Sequence, residues 1–391
     1  MSVRAAVCTQ LDKPLEVLDL ELAGPRAGEV LVRIAASGIC ASDASVQKGA
    51  LPSPLPIVLG HEGAGVIEAV GPGVTHLAVG DHVAVCAMPQ CGECYRCTRG
   101  QPGLCERGDG VLFSGALMDG STRWQTADGV DVAQFVAAGT FAERVVVPTI
   151  SVVRIPADMP FAPASLLGCA VLTGAGAALN TAAIRPGGVV AVIGCGSVGL
   201  MAIQGARLAG AERILAIDLV PAKLEIARAV GATDTLAAGS VDGGVDGGVD
   251  VLAAVEELTA GRGTDTTIEA AGVQITVDQA IRMTGKGGEV VFVGAGTKDV
   301  RINVPQFRGL VGSGKTFKGC LFGSADTHRD IPRLIEHYQA GALHLDVLIS
   351  RTYGLGAINE GLAAVIGGEV ISAVVNLESP REGSTEWRDP R

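Results

Sequence analysis

Cys91, Cys94, Cys97 and Cys105 follow the spacing C-x2-C-x2-C-x7-C in a glycine-punctuated stretch. Four soft thiolates packed that densely suit a tetrahedral structural zinc. Loose surface thiols, a disulfide pair or an iron–sulfur cluster would use the same residues. The set stands alone with no second group of cysteines, which argues against a cluster. A second chemistry lies in Val189 to Asp218, VVAVIGCGSVGLMAIQGARLAGAERILAID. Gly194, Gly196 and Gly199 give G-x-G-x-x-G between an apolar β-branched run and a helical stretch. The three glycines serve a tight turn, close backbone approach to a pyrophosphate and close helix-to-strand packing. The helix starting at Ser197 and Val198 would present unpaired N–H groups and a partial positive charge to phosphates. Asp218 closes the second strand, where a carboxylate accepts hydrogen bonds from an adenosine ribose and favours NAD over NADP.

Cys40, His61 and Cys169 have no diagnostic spacing, and on pattern alone the two cysteines read equally as small core residues. Their neighbours, GICASD, GHEGAG and LLGCAVLTG, let all three converge at a cleft before the dinucleotide unit. Two thiolates and a neutral imidazole would cancel the charge of Zn²⁺ and leave one coordination position open, as a catalytic zinc requires.

These residues need two kinds of scaffold. From Val3 to about Val85, short alternating segments such as EVLVRIAA (Glu29 to Ala36) are separated by Gly, Pro and Asp, a β-rich pattern. After Ala170 strands alternate with helices: Ala222 to Val230 is expected as a helix ended by Gly231, and Thr266 to Ala270 and Glu289 to Val293 as strands. That alternation predicts a doubly wound parallel sheet, so the fold class is α/β. A helix is expected from His328 and a strand over Leu345 to Ile349, with a loosely ordered tail from Glu378. The repeat VDGGVDGGVD (Val241 to Asp250) reads as a surface loop rather than a calcium site.

The chain has 391 residues, 48% of them hydrophobic and 18% charged, enough for two domains with ample cores. Its net charge of -11 and lack of a basic tract exclude nucleic acid and anionic membranes as expected partners. Residues 1–20 lack a secretion signal, so a cytoplasmic location is expected, and the ten cysteines there call for another explanation than disulfides. Met159 to Ile184 carries no charge except Asp158 just before it and is long enough to span a bilayer, but its Gly, Ala, Thr, Asn and Pro content predicts a buried soluble segment.

Over nearly its whole length the sequence resembles the zinc-dependent alcohol dehydrogenases of the medium-chain dehydrogenase/reductase family. GICASD, GHEGAGVIEAVGPGV, the four-cysteine lobe, GTFAERVVV, LLGC, GCGSVG, ILAID and INEGLAAVIGGEVISAVV occur in the family's order. The resemblance implies a β-rich GroES-like catalytic domain (1–169 and 322–391) and a Rossmann domain (170–321). The long stretch from Cys105 to Phe141 is similar to the dimeric branch and implies a homodimer. It further implies two zinc ions per subunit: a catalytic one on Cys40, His61 and Cys169, and a structural one on Cys91, Cys94, Cys97 and Cys105. Asp43 would orient His61, Glu62 would sit behind the catalytic metal, and Ser42 would take the proton of the substrate alcohol. Thr173, Val293, Gly294 and Ala295 match positions bordering the nicotinamide, and Lys223 one that contacts the adenosine ribose.

Three departures from the family pattern stand out. Ser45 replaces a proton-relaying histidine; Ala41 and Ser372 replace arginines that pair with the cofactor pyrophosphate. Leu51 and Asp109 stand where the glutathione-dependent formaldehyde branch holds glutathione with an acid and an arginine, which disfavours that branch. The expectation is therefore an NAD-dependent dehydrogenase acting on a small-molecule alcohol or aldehyde. Ala87 and Ser42 would set the pocket wall back while Leu51 and Phe141 keep it apolar, so the substrate should be bulkier than ethanol, unless Leu112, Phe113 or Met118 fills the space. Two other readings are a dehydrogenase with permanently bound NAD and a second acceptor, and a non-catalytic NAD and zinc-binding sensor.

Overall fold

The computed structural model of the chain describes residues 1–239 and 248–378. Most of the VDGGVDGGVD repeat and the tail beyond Glu378 therefore lie outside the described residues.

The eleven-residue strand Glu29–Ile39 is the hub of the N-terminal half. It is buried along almost its whole length, consistent with its Val, Leu, Ile and Ala content and with a sheet covered on both faces. Strand Glu62–Val70 pairs antiparallel with it in a register that sets Gly38 opposite Glu62. Cys40 and His61, one or two residues beyond those partners, are thereby carried to the same sheet end. Two glycines make this pairing possible. A Cβ on Gly65 would sit 1.9 Å from the Arg33 carbonyl oxygen, and one on Gly38 would sit 2.1 Å from a Glu62 carboxylate oxygen. Around the hub are strands Val152–Arg154, His82–Val85 and Arg144–Pro148; a small closed barrel of Ser2–Cys8, Glu16–Leu22, Trp124–Gln125, Asp131–Gln134 and Ile57–Val58 packs beside them.

The second sheet is wholly parallel and runs, in space, Asp234–Ala237, Arg213–Asp218, Val189–Ile193, Thr264–Glu269, Thr284–Phe292, Thr316–Gly319. Numbered within the sheet this is the order 3-2-1-4-5-6 of a dinucleotide-binding unit, whose crevice opens at the strand C-terminal ends where the order reverses. Helices cover both faces. Leu200, Met201 and Ile203 pack with Val190, Val192 and Val291 on one side, and Val251, Val255 and Met283 with Ala191, Ile193 and Leu215 on the other.

The chain then returns. Strand Ser372–Asn376 pairs antiparallel with the hub, Ala373 opposite Ile39 and Asn376 opposite Ala36, and strand Ile349–Gly354 runs parallel beside it. The sequence placed a strand one element early here. Leu345 to Leu348 forms a turn with a 3₁₀ segment at Asp346–Leu348, and the strand begins at Ile349. Leu345 and Leu348 are both wholly buried, and three residues apart they share one face of such a turn, whereas a strand would point them to opposite faces. The other expected elements fall close to their places: helix Pro221–Ala229, strands Thr264–Glu269 and Thr284–Phe292, and helix Thr327–Gln339 capped by Asp326.

No single helix among the described residues is long and apolar enough to cross a membrane. The uncharged stretch after Asp158 breaks into two helical pieces bent by 57°, Phe161–Gly168 and Ala170–Thr181, and is largely buried in the core between the sheets. The break falls on Cys169, whose backbone is not helical (φ -139°, ψ -80°).

Candidate metal centres and cofactor cleft

Cys40, His61, Glu62 and Cys169 arrive from three separate places in the chain and bring their side-chain donor atoms within 4.8 Å of one another. Cys40 ends the hub strand and caps helix Ala41–Gln47, His61 precedes the partner strand, and Cys169 occupies the helix break. The first turn of Ala41–Gln47 organises the group. Asp43, with no solvent exposure, accepts hydrogen bonds from the Cys40 amide (3.0 Å) and the Gly60 amide (3.0 Å) and contacts His61 Nδ1 at 3.2 Å. That fixes the imidazole with Nε2 towards the thiols. Ser42 Oγ lies 3.1 Å from Cys40 Sγ and 3.3 Å from His61 Nε2. The edge of the His61 ring meets the Phe135 ring at 5.3 Å between centroids, planes 89° apart.

The electrostatics favour a cation here. The hydrogen bond from Cys169 holds the Cys40 thiol well below its ordinary range against the opposing effect of burial, and raises the Cys169 thiol well above it. Burial pushes the Glu62 carboxyl up to about 8, and that carboxyl accepts the Ala170 amide at 3.2 Å. Burial lowers the His61 pKa, but the Asp43 carboxylate outweighs it and the net shift is well upward. A buried set of sulfur, nitrogen and carboxylate donors facing one another has the composition of a zinc site.

The second group is Cys91, Cys94, Cys97 and Cys105, also within 4.8 Å. Cys91 Sγ is 4.0 Å from Cys97 Sγ, and Cys94 Sγ is 4.0 Å from Cys105 Sγ. Zn–S bonds of about 2.3 Å give a tetrahedron edge of about 3.8 Å, so the spacing fits. All ten cysteines are free, and 4.0 Å is far beyond an S–S bond of about 2.05 Å. Amides also reach these sulfurs: Cys91 N to Cys105 Sγ at 3.3 Å, Cys94 N to Cys91 Sγ at 3.4 Å and Gly108 N to Cys105 Sγ at 3.4 Å.

In the glycine turn each residue has its own task. Gly194 has φ +94°, and a Cβ on Gly199 would sit 1.7 Å from the Gly194 carbonyl oxygen, whereas a Cβ on Gly196 would meet nothing within 4 Å. Gly196 is therefore where the backbone faces open space. Asp218 is held by amides, accepting from Cys195 at 2.7 Å and Val220 at 2.9 Å. Half-buried Lys223 extends its ammonium towards Gly368, 3.8 Å from where that glycine's Cβ would be. Val198 is half-buried at the helix start, and Thr173 lies one turn beyond Cys169, its amide bonding the Cys169 carbonyl at 2.8 Å. Val293 and Gly294 both donate to the Glu269 carbonyl, at 2.9 and 3.0 Å, and exposed Ala295 follows at the same edge. Leu219, Val220, Val273 and Ile275 are exposed apolar residues in the segments that follow the two strands flanking Val189–Ile193.

Phe141 is wholly buried, and a Cβ on Gly60 would meet its ring at 2.6 Å and its amide nitrogen at 2.5 Å, so it packs against the backbone leading to His61. Phe135 is the aromatic residue beside His61. Two consecutive left-handed residues, Val136 (φ 46°) and Ala137 (φ 56°), follow Phe135 directly. Ala87 is buried, its amide 3.4 Å from the Gly168 carbonyl, and Leu51 is half-buried against the N-terminal core. Of the residues that could refill the space, Leu112 and Met118 pack in or against that same core and Phe113 is 42% exposed.

Comparison with known proteins agrees with this architecture. Residues 26–157 match the alcohol dehydrogenase GroES-like domain and residues 197–340 the zinc-binding dehydrogenase domain. The chain is 40% identical over 378 residues to the NDMA-dependent alcohol dehydrogenase of Amycolatopsis methanolica, covering 96% of this chain and 99% of that protein. It is 36% identical to the class-3 alcohol dehydrogenase of Cereibacter sphaeroides, covering 96% and 100%. The solved structure of benzyl alcohol dehydrogenase from Acinetobacter calcoaceticus superposes with a TM-score of 0.88 at 32% identity, covering 96% and 99%. Fold, donor sets and relatives define a two-lobed zinc-binding oxidoreductase, and the chain belongs to the zinc-dependent alcohol dehydrogenase family.

Proposed function

We propose that the chain oxidises a primary or secondary alcohol bulkier than ethanol with NAD, and reduces the matching aldehyde or ketone in reverse. The observation that carries this is the meeting of Cys40, His61 and Cys169 around Ser42 beside the parallel-sheet crevice. Cys40, His61 and Cys169 would hold one zinc and the four-cysteine lobe another. When bound, zinc supplies a Lewis acid that lowers the pKa of an alcohol, and NAD supplies the hydride acceptor. Asp43 keeps His61 in the tautomer that offers Nε2 as a ligand. Ser42 stands at the donor cluster with a hydroxyl able to accept the alcohol proton and pass it on. Ser45 does not extend that route in this structure, because its hydroxyl donates to the Ala41 carbonyl at 3.0 Å. Asp218, preset by two amides, would receive the ribose hydroxyls and repel a 2′-phosphate.

Ser42 and Ala87 support the larger substrate: both are small, and one adjoins the donor cluster while the other contacts Gly168, next to Cys169. The domain division proposed is 1–169 with 322–391, and 170–321, supported by the return of Ser372–Asn376 to the hub strand. A homodimer is supported by the open edge strand Thr316–Gly319 beside the exposed Ile302, Phe307, Leu310 and Val311. Ten free thiols support a reducing, cytoplasmic setting. Glutathione is not proposed as a substrate, since Leu51 and Asp109 stand where the glutathione-dependent branch uses an acid and an arginine.

A spectrophotometric screen of alcohols with NAD tests the reading, and no turnover with any alcohol in zinc-replete protein would overturn it. A second reading, NAD held permanently and recycled by another acceptor, draws support from 40% identity to a dehydrogenase named for dependence on NDMA. Nucleotide that stays with the protein through gel filtration would favour it.

A further inference from the structure

A cavity of about 390 Å³ opens at the end of the parallel sheet opposite the cofactor crevice, where strands Thr264–Glu269, Thr284–Phe292 and Thr316–Gly319 begin. Buried Val255 and Met283 with half-buried Leu252 form its floor. Its rim carries four cations, Arg262, Arg282, Lys286 and Lys315, against one acid, Glu256. Arg262, Arg282 and Lys286 are exposed. Among the described residues none of these three makes a side-chain hydrogen bond or an ion pair. Backbone packing holds the rim in place. A Cβ on Gly285 would sit 2.2 Å from the Arg262 carbonyl oxygen and one on Gly263 2.6 Å from that of Met283, so the loop bearing Arg262 and the turn after Arg282 touch main chain to main chain. Buried Thr259 accepts the Gly263 amide at 3.0 Å and donates to the Val255 carbonyl at 2.7 Å, tying that loop to helix Val251–Leu258. The Ser313 carbonyl accepts the Gly287 amide at 2.8 Å, which brings the segment of Lys315 against the same turn.

Helix ends account for part of this charge. Half-buried Lys315 donates to the Ile281 carbonyl at 2.7 Å in the last turn of helix Gln274–Met283, and Arg282 lies in that turn, where a cation is favourable. The end of helix Val251–Leu258 is served by Arg213, which donates to the Leu258 carbonyl. Arg262 and Lys286 are left without a partner among the described residues, in a protein of net charge -11. Four like charges around one cavity repel one another, and an anion seated between them removes that repulsion. We infer that this cavity is a binding site for a small organic molecule carrying two phosphate groups, separate from the catalytic centre. Two guanidinium forks and two ammonium groups offer the donors that phosphate oxygens accept. A phosphate monoester carries about -1.5 to -2 at pH 7, so two of them balance four cations set against one acid. The apolar floor is left to the carbon skeleton between them, and the volume falls within the range of small-molecule pockets, about 300–1,000 Å³. Bound there, the molecule joins helix Val251–Leu258, the turn after Arg282 and the start of the edge strand.

The experiment is calorimetric titration of the zinc-replete enzyme with fructose 1,6-bisphosphate, with inorganic phosphate and citrate as comparison probes, in the absence and presence of excess NADH. The bisphosphate should bind once per chain, about tenfold or more tightly than either comparison probe, and equally well with NADH present. Arg262→Gln and Lys286→Gln should each weaken it about tenfold. Arg185→Gln, at the same end of the sheet but lining a neighbouring cavity, should leave it unchanged. All three side chains are exposed, so the variants should fold, with unliganded melting temperatures at or above that of the parent. The bisphosphate should raise the melting temperature of the parent and of Arg185→Gln more than that of the other two. Absence of heat at millimolar bisphosphate would overturn the inference. An equal loss in Arg185→Gln would overturn it too, by showing general attraction to a basic surface, and binding abolished by NADH would do so by placing the anion in the crevice. Citrate bound as tightly as the bisphosphate would reject phosphate as the group recognised.

Discussion

His61 Nδ1 lies 3.2 Å from Asp43 Oδ1, and the same carboxylate accepts the amides of Cys40 and Gly60. One buried side chain therefore sets both the orientation of a proposed zinc ligand and the backbone positions of the residues around it. Asp43→Asn should keep the fold while weakening zinc retention at the catalytic site by about 10- to 100-fold, read by competition with a chelator. Unchanged retention would show that His61 needs no such support.

The two cysteine sets should separate when altered singly. Cys94→Ser is expected to remove one zinc per chain and lower thermal stability, because four thiolates hold the lobe together. Cys40→Ser is expected to remove the other zinc and the activity with the fold intact. Elemental analysis beside circular dichroism reads both. Full turnover by Cys40→Ser would end the catalytic assignment.

NAD should exceed NADP in specificity constant, since a 2′-phosphate would face Asp218. A few kcal/mol of repulsion corresponds to roughly a hundredfold. Asp218→Asn should narrow that ratio, but it also disturbs acceptance from the Cys195 and Val220 amides, so affinity for NAD itself should fall. Equal specificity constants for the two cofactors in the parent protein would contradict this.

Along a series from ethanol to hexanol and on to benzyl alcohol, the specificity constant should rise. Each buried CH₂ contributes about 0.8 kcal/mol, so several carbons give on the order of a hundredfold. Ala87→Phe should reverse the trend. A flat series in the parent would reject the enlarged pocket.

Arg123 is buried and binds the buried Glu29 through two nitrogens, with a further bond to Asp119 at 2.8 Å. This fastens the loop after the cysteine lobe to the start of the hub strand. Arg123→Ala leaves the Glu29 charge buried and unpaired, which should cost about 3–5 kcal/mol. The check is a lowered melting temperature with both zinc ions still present; an unchanged melting temperature would show that the loop is held by other contacts.

The parts of this molecule legible in its sequence were those set by local chemistry. The four close cysteines had to meet because short loops keep them near one another, and the glycine turn declared itself because only glycine tolerates φ +94° and the Gly199 contact. Cys40, His61 and Cys169 were reachable only through their flanking motifs, because their meeting depends on a sheet register and a helix break. The left-handed backbone of Val136 and Ala137 was not legible, because these residue types give no sign of that conformation. The contact between the Ser197 and Ser372 hydroxyls, 2.6 Å apart, lay beyond reach for a similar reason, since 175 positions separate two ordinary serines.

The pairing of Ala373 with Ile39 also has a consequence for how the chain is made. All six strands of the parallel sheet lie between Val189 and Gly319, so that layer can close while the C-terminus is still being synthesised. Strand Arg144–Pro148 covers the first half of that edge of the hub strand, but its Ala36–Ile39 end lacks a neighbour until Ser372–Asn376 leaves the ribosome. At typical elongation rates of about 5–20 residues per second, that leaves this end open for on the order of half a minute. During this interval the edge is a template for wrong partners, and a chain cut short before Ser372 would carry Cys40 on a strand that never gains its proper neighbour.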